Sequence, residues 1–544
     1  MVTGKRPFEG ATTGLVFNAI LNKVPTSPIQ LNPALPGELD HIINKALEKD
    51  NKLRYQSAKD LRADLQRLKR DRDSGRTTAA ASAAPVRIPS LAVLPFANLS
   101  ADKENEYFSD GLAEEIINAL THLPNLRVMA RTSSFYFRGK EADVREIGSK
   151  LNVEHILEGS VRKAGNRIRV TAQLISAADG YHHWSERYDR ELTDVFAIQD
   201  EICQAIVDKL RLELAPGRPL VKRYTENVEA YNLYLKGRYH LYRWTPEGSA
   251  KSKEYYEQAI AVDPNYALAW HGLASFYFSL GFLGVMPPKA ANAQSSQATL
   301  KALELDDMLA EAHAMMAVLR ASDYDWKGAE REFLRALELD PKSEDVWMNY
   351  DYYYLVPMRR LDEAVAASRR ALELNPLSPF LHFRLGYRYF LTRQWDRAIE
   401  HCRNALELDP HYYPAHLILG VSWVRTGKCG EAVRAMETAA QLAARSPFVL
   451  GILGSTYARA GRVGQARKLI AELQELAQKT YVHPYCFMTI YFGLGEIDTG
   501  FEWFEKAVDE RDSWILHILV HPAFDPLRSD PRYPALLRKM NLEP

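Results

Sequence analysis

The chain has 544 residues, 47% of them apolar, and its 69 basic and 69 acidic side chains cancel to a net charge of zero. Such a length accommodates about three to four domains of roughly 150 residues, and the balanced charge provides no overall field to draw the protein to nucleic acid or to an anionic membrane. Cys203, Cys402, Cys429 and Cys486 lie far apart without a C-x-x-C pair, which argues against a disulfide framework or a zinc site; with no signal-peptide pattern and no apolar run of about 18 residues, the expectation is a cytoplasmic protein without a membrane span.

In chain order, residues 1–72 contain "TGKRPF" (Thr3 to Phe8) and "ALEKDNKLRYQSAKDL", with Leu61, Leu65 and Leu68 on one helical face. This stretch resembles the end of the C-lobe of a bacterial serine/threonine protein kinase. The resemblance implies a truncated all-α fragment in which Arg54 would pair with a glutamate that this chain lacks. The Gly-rich loop, the strand Lys with its helix Glu, the H-R-D loop and D-F-G are all missing from the sequence, so nothing in it positions ATP or Mg²⁺ for phosphoryl transfer. Two readings follow: Met1 is internal to a longer reading frame that encodes a complete kinase, or the gene has lost its catalytic part. The first is favoured, because the fragment keeps the family pattern closely.

Residues 73–89, within "DRDSGRTTAAASAAPVRIPS", have no periodicity and read as a flexible linker. From Ser90 to Ala215 the pattern is mixed. "SLAVLPFANLS" is an apolar strand, "GLAEEIINALTHL" places Leu112, Ile116 and Leu120 at helical spacing, and "LRVMAR" returns to strand, which makes a β-α-β unit. "DVREIGSKLNV" is a helix with Asp143 as its N-cap. Three alternating strands follow, joined by turns at Ala164-Gly165-Asn166 and Asp179-Gly180. On "AVLPFANLS", "YFSDGLAEEI" and "ILEGSVRKAGNRIRVTAQLI" the segment resembles the TolB-like N-terminal α/β domain found ahead of tetratricopeptide arrays in bacterial signalling proteins. The helix-like run "DVFAIQDEICQAIVDKLRLEL" closes it before "APGRPL".

Residues 226–544 form a repeat array. "ALELDP" or a relative recurs from Ala302, Ala336, Ala371 and Ala405, and the register continues through Ala439, Leu473 and Ala507, a period of about 34. An earlier copy starts at Ala259 and precedes an insertion. Gly386, Gly420 and Gly454 hold the small position of each first helix, Ala329, Ala364, Ala398, Ala432 and Ala466 that of each second helix, and Pro264, Pro341, Pro376 and Pro410 end the second helices. The array resembles the tetratricopeptide (TPR) family, with about eight units. The fold class expected overall is multidomain: a truncated all-α kinase C-lobe fragment, an α/β domain and an α-solenoid of TPR helix pairs. An array stabilised by neighbour contacts should fold without the first 220 residues.

No catalytic, cofactor-binding or metal-binding residues emerge. His182 and His183 point to opposite faces of a strand and cannot chelate one ion together, and no cofactor is implied. At the first-helix positions where chaperone-binding TPR domains carry Lys and Asn, this chain has His271, Ala314, Met348, Phe383 and Leu417. The groove therefore reads as apolar and aromatic, suited to an amphipathic helix, an extended apolar segment or a neighbouring domain of the same chain. The residues expected to meet a protein or peptide partner are His271, Met348, Tyr352, Phe383, Tyr387 and Leu417. The aromatic run "YDYYYLVP" (Tyr350 to Pro357) reads first as helix packing and second as groove lining. The resulting expectation is a bacterial signalling scaffold that binds protein partners, not nucleic acid. The alternative is a serine/threonine kinase, of which the chain holds the non-catalytic part and whose repeats recruit substrates or regulators. A transcription regulator is a third reading, and would need a basic recognition helix near the N-terminus.

Overall fold

A computed structural model describes residues 37–47, 62 and 88–543, with breaks at 103–104, 124, 141, 211, 213–222 and 242–245. The chain divides into two compact units, 1–87 and 88–544. In the first, the described residues form helix α1 (Gly37–Ala46), with Ile42 buried. The rest of the kinase-like stretch, including Arg54, and nearly all of the linker lie outside the described residues.

The second unit begins with a mixed sheet. Strand β1 (Ser90–Val93) pairs in parallel with both β3 (Arg127–Val128) and β4 (His155–Ala164), and β2 (Ala97–Asn98) also pairs with β4. Between β1 and β3 runs helix α2 (Glu106–Thr121), which buries Leu112, Ile116 and Leu120 as their spacing requires. Helix α3 (Arg131–Phe135) takes up the end of the stretch expected as strand. In α4 (Val144–Leu151) the Asp143 carboxylate accepts the Arg145 amide, as an N-cap does. Strands β4, β5 (Arg167–Ser176) and β6 (His182–Glu191) form an antiparallel meander, giving the order β3-β1-β4-β5-β6. Helix α5 (Val195–Leu210) then packs back with Ile198, Ile202 and Ile206 buried.

Helix pairs follow: α6 (Val228–Leu241) with α7 (Pro246–Val262), α8 (Ala267–Phe282) with α9 (Pro288–Leu305), α10 (Ala310–Ser322) with α11 (Trp326–Leu339), and α12 (Glu344–Tyr350) with α13 (Leu361–Leu374). The next are α14 (Pro379–Leu391) with α15 (Trp395–Leu408), α16 (Tyr413–Arg425) with α17 (Cys429–Leu442), α18 (Pro447–Arg459) with α19 (Val463–Leu476), and α20 (Pro484–Leu494) with α21 (Ile497–Asp509). A short helix α22 (Arg532–Lys539) ends the described chain.

One pair shows why the sequence folds this way. Asp325 caps α11 by accepting the Gly328 amide at 3.0 Å; Ala329, Phe333 and Ala336, spaced four and three apart, bury one stripe; and the helix stops at Leu339, before Pro341. The recurrent residues Ala259, Ala302, Ala336, Ala405, Ala439, Leu473 and Ala507 are all fully buried, and Ala371 nearly so. The turn inside each of the last six pairs also repeats a left-handed residue: Tyr324, Arg359, Arg393, Gly427, Gly461 and Gly495 all have φ between +60° and +79°. Such a cap lets the next helix reverse direction, at a steric cost for the three residues that are not glycine.

The sheet and the array share a core, so repeats separated from the sheet would expose part of their own buried surface. Buried residues of α2 and α5 form one continuous cluster with Tyr231, Tyr234 and Leu235 of α6 and with Tyr256, Tyr266 and Phe276 beyond. The approach is so close that a Cβ on Gly111 would sit 2.6 Å from Leu235. Gln199 donates to the Tyr231 hydroxyl at 2.8 Å, and Arg238 meets Glu114 and Glu115 at 3.3 Å. Further along the array, Lys342 donates to the carbonyls of Thr121 and Leu123 at 2.8 Å, and Ser133 bonds to Asn375 and to the amide of Leu377. The α/β layer thus braces the first pair against the loops that enter the fourth and fifth. Leu235→Ala opens a cavity in this shared core, so it is expected to cost about 2–5 kcal/mol in one cooperative urea transition of the whole second unit, followed by both sheet and helix signals.

Candidate functional site

The first helix of each pair lines the inner face of the array, and the chain itself occupies much of that face. After α21 the segment 512–527 crosses the interior through two short 3₁₀ turns, Ser513–Ile515 and Pro522–Leu527. Asp512 anchors it: the carboxylate is fully buried, accepts the amides of Tyr485 and Trp514, and lies 3.1 Å from His483. The Trp514 ring stacks on Phe448 with centroids 3.7 Å apart and meets Phe282 at 4.6 Å. Ile515, Leu516, Ile518, Leu519, Val520 and Phe524 are buried in the same core as Tyr353, Leu385 and Phe390. The array also closes on itself, since Trp326 donates to the carbonyl of Met540 at 2.8 Å and Tyr324 to that of Val508 at 3.3 Å.

Polar groups fix the register of this packing. Residues 351–355 form a π-helical turn that continues α12 and carries Asp351 inward. Arg388 is completely buried and grips Asp351 through Nε and Nη2 at 2.6–2.9 Å; Arg384 reaches the same carboxylate at 3.2 Å and the Met348 carbonyl at 2.7 Å. Two guanidinium groups therefore share one carboxylate away from water. Burial, and then the charge of Arg388, pull Arg384 down to about 10.

His517 answers this excess charge by staying neutral. Its Nε2 lies 2.8 Å from the Tyr352 carbonyl and so carries the proton, which leaves Nδ1 to accept from the Tyr387 hydroxyl at 3.0 Å. Burial, and next the Arg388 charge, hold it well below the ordinary imidazole range. His521 accepts the Ala523 amide on Nδ1, and burial together with Arg425, Arg459 and Arg393 pushes it down to about 3.

The residues expected at a partner site are thus placed differently from one another. Phe383 and Tyr387 stack on one helix with centroids 6.5 Å apart, and both are half-buried. Tyr387 and Tyr352 cover His517, at 5.6 and 4.2 Å between rings. Met348 is half-buried, and its carbonyl accepts from Arg384. Leu417 is buried among Val433, Met436 and Leu450 as helix packing. His271 lies away from this group on α8, within 3.4 Å of Ser275 and lowered to about 4 by burial. Within "YDYYYLVP", Tyr350, Tyr353 and Tyr354 are core, and Tyr352 packs against that core and meets His517 of the crossing segment. His183 meets His155 ring to ring at 5.3 Å, and no group of three or more metal-ligating side chains is present among the described residues. Sequence reasoning passed over Asp351, Arg384 and Arg388; the available signal was a carboxylate set in an aromatic run and two arginines four apart on a helix otherwise apolar and aromatic but for His382.

Two outcomes are expected. Arg388→Met leaves the buried Asp351 carboxylate to Arg384 and Ser368 and is expected to destabilise the protein in urea unfolding, and adding Asp351→Asn, which takes the anion away from buried Arg384, should cost more again and not less. His517 and His521 bind protons in the unfolded chain near 6.5 but not in the folded one, so stability is full above about pH 6.5 and falls as the pH drops toward about 3. His483, raised by Asp512 against the opposing effect of burial, and Glu344, raised to about 8 by burial, work in the other direction. The histidine contribution is therefore read as a difference: relative to the wild type, His521→Asn, which keeps an acceptor for Ala523, should lose less melting temperature between about pH 7 and pH 5.

Among known proteins, residues 87–205 match the family model described as HilA/YgeH-like transcriptional regulator, second domain, and residues 379–412 match the tetratricopeptide repeat model. A curated relative, "Putative adenylate cyclase 3" of Rhizobium meliloti (strain 1021), is 42% identical over 188 residues, 34% of this chain and 32% of its own length. A "Probable serine/threonine-protein kinase" of Clostridium perfringens (strain 13 / Type A) is 38% identical over 71 residues, 13% of this chain and 10% of its own. The chain therefore spans about a third or less of these relatives. The solved structure of PilW, a widely conserved type IV pilus biogenesis factor, is similar over 38% of this chain and 92% of its own, with 19% identity and a TM-score of 0.32. One helix pair of the second unit, α14 with α15, thus matches the tetratricopeptide repeat.

Proposed function

We propose that the protein is a bacterial cytoplasmic signalling scaffold whose TPR array binds a protein or peptide partner and whose own side chains perform no catalysis. The observation that carries this reading is the array itself: eight helix pairs, with a period of about 34 residues from Ala302 onward, one of them matched by the repeat model, and half-buried apolar side chains on its inner helices. Repeat arrays offer extended surfaces of this kind to partners. Because segment 512–527 covers Tyr352 and Tyr387, partner contact falls on the uncovered rim, where Met348 and Phe383 are half-buried, with His271 a separate position on α8. Leu417, packed in the core, acts only by supporting that surface. No helix among the described residues is long and apolar enough to cross a membrane.

The domain layout in this reading is a kinase C-lobe fragment at 1–72, a linker at 73–89, a TolB-like α/β domain at 90–215 and the array at 226–544. Relatives of parts of the chain carry the printed names of a cyclase and a kinase, and the 87–205 match is described as part of a transcriptional regulator. A sheet-plus-repeat half combined with different output modules accounts for that spread. The second reading, a serine/threonine kinase whose non-catalytic part is this chain, is favoured by the 71-residue likeness to the kinase-named relative. In-frame H-R-D and D-F-G codons upstream of Met1 would select it.

The test replaces Met348 and Phe383 together with Ala. Partner capture from a lysate of the source bacterium is expected to drop at least about tenfold, while the thermal melt moves by only a few degrees. Unchanged capture by the folded variant would refute the assignment.

A further inference from the structure

The long outer strand of the α/β layer presents an unpaired edge whose charge pattern is complementary to itself. Among the described residues β6 pairs with β5 and with no other strand. Edge strands of soluble proteins are normally shortened, bulged, interrupted by proline or studded with charge, and charge guards an edge only against strands whose own charges do not complement it. From Trp184 to Glu191 this one is regular and free of proline, with its single register shift lying before it, opposite Leu174/Ile175; its side chains are exposed except Trp184, which is half-buried, and Tyr188, which is buried against the core on the inner face of the sheet.

The direction of its backbone groups follows from the ladder. Leu192 donates to the Asn166 carbonyl at 2.7 Å, so in this stretch the even-numbered residues bond inward to β5. The N–H and C=O groups of Ser185, Arg187, Asp189 and Glu191 therefore point to the free edge. Any antiparallel partner must bring its own outward groups opposite these.

We infer that this edge pairs with the same strand of a second copy, antiparallel and centred on Tyr188, so that the sheets of two molecules become one. In the run Glu186-Arg187-Tyr188-Asp189-Arg190, the charges are antisymmetric about Tyr188. A two-fold axis there sets Arg187 opposite Asp189 of the second copy and Glu186 opposite its Arg190, and each pair occurs twice. Arg187 and Asp189 become the hydrogen-bonded pairs, because theirs are the outward backbone groups, while Tyr188 meets itself at a non-hydrogen-bonded position. Centring the axis on Glu186, Arg187, Asp189 or Arg190 instead puts that charge directly opposite itself, which is unfavourable; centring it on Ser185 gives no ion pair at all.

Of the four charges, exposed Arg187 is the one without a partner within its own chain among the described residues. The other three are held in place by that chain, Glu186 by accepting from the Trp184 indole at 3.2 Å and the Tyr188 hydroxyl at 3.5 Å. Asp189, held by Arg167 and Arg169 across β5, is presented in a fixed position on the open face. Arg190, paired at 3.3 Å with the exposed Glu201, lies on the opposite face with Glu186.

Sedimentation velocity of the full chain at micromolar concentration tests the inference. The wild type is expected to be a dimer. Arg187→Glu, and separately Asp189→Arg, place like charges opposite one another and should each weaken self-association at least about tenfold. An equal mixture of the two variants should recover the dimer, because each then offers the other the sign that it denies itself. A wild type that stays monomeric overturns the inference, as does a dimer that survives Arg187→Glu. Failure of the mixture to recover, with the circular dichroism melts of both variants intact, also overturns it. None of these readouts depends on partner capture by the repeats, so the two assignments stand or fall separately.

Discussion

Two guanidinium groups sealed from water need a carboxylate, and Asp351 is the group that meets them. Arg384 and Arg388 come from the fifth helix pair and Asp351 from the π-helical turn of the fourth. The contact therefore sets the rotation of one repeat against the next at the point where the inner face is most crowded. It also sets the electrostatics there: with two cations and one anion in place, a third positive charge would be costly. The imidazole packed against them is held neutral, and a neutral imidazole with one donor and one acceptor fits the Tyr352 carbonyl and the Tyr387 hydroxyl.

That polar lock has a consequence for binding. A TPR groove is open to peptides when its inner face is solvated. In this chain the residues that follow the last helix pair return through the interior and bury a row of aliphatic side chains there. The hydrophobic gain holds the segment in place, and the histidine hydrogen bonds choose its register. What remains for other molecules is the rim and the outer edges of the fold, among them the free edge of β6.

The α/β layer is tied to the array by the same logic of shared burial. Helix α6 belongs to the repeats by sequence, yet its apolar face is completed by α2 and α5. Polar links from Lys342 and Asn375 extend the brace to loops more than 100 residues further along the chain. The first repeat is capped by a domain where many arrays use a polar terminal helix.

Local order was legible in the residues because it depends on near neighbours in the chain. The 34-residue period, the alanines at Ala336, Ala405 and Ala439, the proline stops, the Asp143 cap and the hairpin glycines all express steric or hydrogen-bonding rules that act within one or two turns. The sequence also showed Phe383 and Tyr387 on a common face. It did not show what covers that face. The return of residues 512–527, the union of α2 with α6, and the meeting of Arg388 with Asp351 and His517 join positions far apart in the chain. No periodicity encodes such pairs, because they follow from the accumulated turn of the solenoid, and only the tertiary structure fixes how far that turn carries one end toward the other.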